Sequence, residues 1–115
     1  HYEEEIALAV ARQKENDVCC AIAAFLEIKT PETEIMRLLS KFYGVDSIAE
    51  AMELITTVKV TNQNNALMDY LGELGMSRVE IASYLSEHCV RTQLQTDPKL
   101  QNMTIDKLKA YFDKH

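Results

Sequence analysis

Tryptophan is absent, and 115 residues hold only three glycines, two prolines and three cysteines. So few breakers leave little for the frequent turns of a sandwich or barrel, and favour helices. Glycine stands only at positions 44, 72 and 75, too sparsely for a phosphate-cradling loop. No run approaches the ~18 apolar residues of a membrane helix. The acidic opening Tyr2-Glu3-Glu4-Glu5 is the reverse of the basic start of a signal peptide. No membrane partner is expected, and the chain reads as cytoplasmic. Three cysteines cannot all pair within one chain, and adjacent Cys19 and Cys20 cannot bridge each other without strain, so reduced thiols are expected.

Imidazole is scarce as well. With His1 and His115 at the ends, His88 is the internal candidate base, and no serine or cysteine arrangement marks a nucleophile beside it. Neither an enzyme nor a bound cofactor is expected. Positive charge is in deficit, twelve Lys and Arg against eighteen Asp and Glu, for a net charge of −6. That field repels phosphate backbones and anionic headgroups, so nucleic acid would need a local basic patch.

What is present is a unit written twice, a helix-like apolar run, a glycine, an apolar residue, then a serine three residues ahead of a glutamate. The copies are Gly44-Val45-Asp46-Ser47-Ile48-Ala49-Glu50 and Gly75-Met76-Ser77-Arg78-Val79-Glu80. Glycine leaves a helix cheaply through left-handed backbone angles, and Ser-x-x-Glu is the capping box that starts the next helix. The glycines lie 31 residues apart, within the range of helical repeats, although the shared positions are those any two amphipathic helices have in common.

The remaining pattern is helical throughout. Residues 3–15 predict a first helix with an inward stripe of Ile6, Ala7, Val10 and Ala11, and Asp17 a cap for a second through about Lys29, unless the two are continuous. That second segment, apolar nearly all round, is expected at the centre. Thr30-Pro31-Glu32 starts a third helix with Ile35, Leu38, Leu39 and Phe42 inward. Ser47 caps a fourth with Ile48, Ala51, Met52 and Ile55 inward. The β-branched stretch 56–61 and Asn62-Gln63-Asn64-Asn65 then read as an early stop and a linker. A fifth helix carries Leu67, Leu71 and Leu74, and a sixth carries Ile81, Ala82, Leu85 and Cys89. After a polar loop near Arg91, Asp97-Pro98 opens one turn, and a last helix carries Leu108, Tyr111 and Phe112. The expected fold is a single all-α domain over residues 1–115, a bundle of six or seven short helices with corners at Gly44 and Gly75.

Residues Leu67 to Leu85 are similar to the helix-turn-helix family, with Gly75 in the turn and Leu74 and Met76 flanking it. The resemblance implies a second helix that enters the major groove. Here, however, the outward positions of that helix are Glu80, Ser83 and Glu87, and those of the Ser47 copy include Glu50 and Glu53, which repel phosphate. Arg78, His88 and Arg91 offer little to offset them. Cys19-Cys20 and His88-Cys89 lack the spacing of a zinc site, because helix neighbours point about 100° apart. The cysteines are expected buried as small hydrophobes. The leading expectation is a small acidic interaction module that binds another protein or its own copy. Its candidate contacts are Glu50, Glu53, Glu80, Ser83 and Glu87, and the alternative is a DNA-binding regulator using the Gly75 corner.

Overall fold

Among the described residues seven helices follow one another: α1 (Tyr2–Glu27), α2 (Glu32–Tyr43), α3 (Ile48–Glu73), α4 (Arg78–Glu87), α5 (Val90–Thr96), α6 (Pro98–Gln101) and α7 (Ile105–Lys114). The computed structural model describes residues 2–115, with side chains from Glu3 onward, and no strand occurs among them. The chain is all-α, as its shortage of breakers predicted.

Both glycine corners form as their residues dictate. Gly44 ends α2 at φ 69°, where its own N–H bonds the Leu39 carbonyl and the Val45 N–H reaches the same carbonyl at 3.1 Å, satisfying an end-of-helix acceptor. Gly75 ends α3 at φ 96°, with the Met76 N–H on the Leu71 carbonyl at 3.2 Å. The serines then start the next helices alike. Ser47 Oγ accepts the Glu50 N–H at 3.3 Å, and Ser77 Oγ the Glu80 N–H at 3.2 Å. At Ser77 the box is complete, since Glu80 Oε1 accepts the Ser77 N–H at 3.1 Å.

The helices are fewer breaks and more length than the pattern predicted. Asp17 caps nothing; it lies inside the 26-residue α1, where its carboxylate accepts from Gln13 one turn back at 3.0 Å. The expected linker at residues 62–65 is likewise inside α3, also 26 residues long. Each β-branched residue or asparagine costs a helix only a few tenths of a kcal/mol, and here burial outweighs that cost. Ala51, Ile55, Val58, Val60, Leu67 and Leu71 are all buried along α3. The Thr57 hydroxyl bonds back to the Glu53 carbonyl at 2.9 Å. The supposed loop at Arg91 is α5, because Val90 and Leu94 are both fully buried. Pro31 precedes α2 as its cap residue and, lacking a polar side chain, makes no capping bond.

The chain divides into two compact units, His1–Val58 and Lys59–His115, with the boundary inside α3. The first unit packs Val18 and Ile22 of α1 against Ile35 and Leu39 of α2, the corner residue Val45, and Ala51, Ile55 and Val58 of α3. The second packs Val60, Leu67 and Leu71 of α3 with Val90, Leu94, Leu100, Leu108 and Phe112. Each fully buried Leu, Ile or Phe contributes about 1.5–3 kcal/mol. Gln63 fastens α6 within the second unit. Its amide donates to the Leu100 carbonyl at 2.8 Å and the Met103 carbonyl at 2.9 Å.

Several residues expected inside are not. The stripe Ile6, Ala7, Val10 and Ala11 is exposed, as is every residue from Glu3 to Asp17. Phe42, Ile48 and Met52 are exposed on their helices, and Leu74 is exposed in the turn after α3. Of the three cysteines, all free thiols, Cys19 is half-buried and Cys20 and Cys89 are exposed, so the latter two are not the packed hydrophobes expected. Ala82 and Cys89 are exposed, and their expected inward places go to Tyr84 on α4 and to His88, its C-cap residue, which sit half-buried with Ile81 and Leu85.

Candidate partner-binding surfaces

Where α1 passes the start of α3, beside the Gly44 corner, the first unit opens a cleft of about 460 Å³. Its apolar wall is Ala11 and Val18 of α1, Tyr43 and Val45 at the corner, and Leu54 of α3. Around these stand three carboxylates, Glu15, Glu50 and Glu53, against one ammonium group, Lys14. Helical spacing accounts for the convergence. Ala11, Lys14, Glu15 and Val18 recur at i, i+3, i+4 and i+7 on α1, while Glu50, Glu53, Leu54 and Thr57 do the same on α3. The chemistry on offer is an apolar recess under a negative rim, suited to an apolar side chain flanked by lysine or arginine.

All five candidate contacts are exposed, and the structure sorts them into two places. Glu50 and Glu53 line the cleft in the first unit. Glu80, Ser83 and Glu87 lie on α4 in the second. Glu80 is engaged within the chain. The Ser77 backbone N–H, then its hydroxyl, hold the Glu80 carboxyl below the usual glutamate range.

Lys14, Glu15 and Tyr43 were missed as cleft residues. Once a helix break is assumed near Asp17, Glu15 and Val18 fall on separate elements and their common face disappears. The available signal was the lack of any glycine or proline between Ala11 and Leu26. Glu15 also lies near Cys19, whose thiol is pushed up first by burial and then by the Glu15 and Cys20 charges.

The corner at Gly75 is a helix, a turn and a capped helix, with α4 well exposed on its outer side. That outer side carries Val79, Glu80, Ala82, Ser83 and Glu87, with Arg78 as its basic residue. The basic residues of the neighbouring helices are partly engaged. Lys109 pairs with Asp113 at 2.6 Å, and Arg91 donates to the Thr61 hydroxyl at 3.3 Å. Among the described residues no three His, Cys, Asp or Glu side chains come together as a metal site, and no helix is long and apolar enough to cross a membrane. In comparisons with protein-family models, curated proteins and solved structures, no match to this chain was found.

Proposed function

We propose that this chain is a small acidic interaction module of the cytoplasm, binding a protein partner without doing chemistry. The observation that carries the reading is the cleft in which Glu15, Glu50 and Glu53 ring an apolar recess. A partner segment with one buried apolar residue between basic ones meets both demands, apolar burial at the centre and charge complementarity at the rim. Free thiols at Cys19, Cys20 and Cys89 fit a reducing compartment.

Capture from a native lysate by the tagged chain, compared with its E50K/E53K and E80K/E87K variants, tests the assignment. Loss of the wild-type partner with E50K/E53K and its retention with E80K/E87K is the expected result. The opposite outcome moves the contact to α4, and retention by both variants refutes an acidic interface. The DNA-reading alternative draws on the capped corner at Gly75. It is the weaker reading because Glu80 and Glu87 face outward on α4, where a reader presents bases and phosphates with donors. Tight, defined-duplex binding in a low-salt mobility shift would reverse that order.

A further inference from the structure

On α1, Glu3, Ile6, Ala7, Val10, Ala11 and Lys14 recur at i, i+3, i+4, i+7, i+8 and i+11, one face of the helix. None is buried, and Ile6 and Val10 are 48% and 64% exposed. A helical stretch of about 12–15 residues without a packed face is marginal in water, so this face is built to be covered. Its own residues identify the cover. Charge runs from acid at Glu3 to base at Lys14. Size is complementary about the same midpoint, since Ile6 mirrors Ala11 and Val10 mirrors Ala7. A stripe with this symmetry is complementary to itself when reversed, which is what a two-fold interface requires.

We propose that this face pairs antiparallel with α1 of a second copy of the chain, in the register Glu3 to Lys14, Ile6 to Ala11 and Ala7 to Val10. Each branched side chain then rests over an alanine of the other copy, letting the helices approach closely. A carboxylate meets an ammonium group at both ends. One helix pair is a small interface, so the association belongs at the weak end of the range. The pairing goes beyond the cleft reading and uses neither Glu50 nor Glu53, although Ala11 and Lys14 border both surfaces.

The test is sedimentation equilibrium of the full chain up to on the order of 500 μM, a range suited to weak interfaces. The wild type is expected to form a reversible dimer. E3K and K14E alone each set like charges together at both ends and should weaken it about tenfold. An equimolar mixture of the two restores opposite charges at both ends and should dimerise about as well as wild type. I6E should weaken the dimer, with the helical circular dichroism falling no further than that of the wild type diluted to monomer. A monomeric wild type overturns the proposal. So does a mixture no tighter than either variant alone, or single variants that dimerise like wild type, as a parallel pair would. E50K/E53K should leave the dimer intact, so failure of the cleft reading and failure of the pairing are read separately.

Discussion

The Tyr84 hydroxyl on α4 stands 2.9 Å from Oδ1 of Asp113 on α7, with the Lys109 carbonyl also in reach at 3.3 Å. Lys109 Nζ holds the other oxygen of Asp113 at 2.6 Å. Burial, then the Asp113 hydrogen bond and charge, raise the Tyr84 phenol well above the usual tyrosine range. Lys109 first, with Tyr84 assisting, holds Asp113 below the usual aspartate range.

Tyr84→Phe should therefore cost about 1–2 kcal/mol in urea unfolding, toward the low end for a hydrogen bond to a charged acceptor because Asp113 is exposed to solvent. The pH dependence has a definite sign. Above about pH 10 the unfolded tyrosine loses its proton while the folded one keeps it, so stability falls as pH rises. The variant should lose that alkaline decline. At the acid end, the Asp113 contribution should fade as pH drops through its lowered folded value.

Ser77→Ala removes the oxygen that accepts the Glu80 N–H and should destabilise by about 1 kcal/mol in the same assay. Because Glu80 is held below its usual range, the reciprocal half of the cap persists above the ordinary glutamate pKa and is lost on acidification through the lowered one. Amide protection, corrected for the intrinsic pH dependence of exchange, should fall in the first turn of α4 there.

Gln63→Leu keeps the bulk but leaves the Leu100 and Met103 carbonyls without this amide. A loss of about 1–3 kcal/mol is expected from orphaned acceptors. Hydrogen exchange should show the effect first around α6. An unchanged urea midpoint would mean that water replaces both bonds.

Glycine substitutions should split by backbone angle. A Cβ at Gly72, inside α3, meets only Ile81 Cδ1 at 3.9 Å, an ordinary contact. Gly72→Ala should raise stability by about 0.5–1 kcal/mol. At Gly44 nothing lies within 4 Å of an added Cβ, yet φ is +69°. Gly44→Ala should cost about 1–2 kcal/mol from left-handed strain alone. Thermal melts of the two variants check both signs.

The glycine corners were legible because their signal is local: a left-handed position and a hydroxyl three residues before an acceptor need no tertiary knowledge. The ends of α1 and α3 were not. Asp17 and Asn62 to Asn65 resemble caps and linkers, but a cap is an option the backbone takes only when packing does not carry the helix onward. Buried Val58, Val60 and Leu67 carry it onward in α3. The same limit explains the cleft. Glu50 and Glu53 could be proposed from outward spacing, whereas Glu15 joins them only through a continuous α1 that brings it to the start of α3. Ile6, Ala7, Val10 and Ala11 share one side of α1 as their spacing predicts, yet none is buried as expected, because periodicity cannot say whether the chain itself supplies the opposing surface.

Glu80 serves two masters in one carboxylate. Its oxygen already holds the Ser77 amide, so a cation arriving from outside must compete with the protein's own backbone. Recognition at that glutamate and initiation of α4 are thus mutually antagonistic. Glu87, seven residues on and at the far end of the helix, is released from that tug-of-war, and any ligand contact on α4 that leaves the fold undisturbed should form there first.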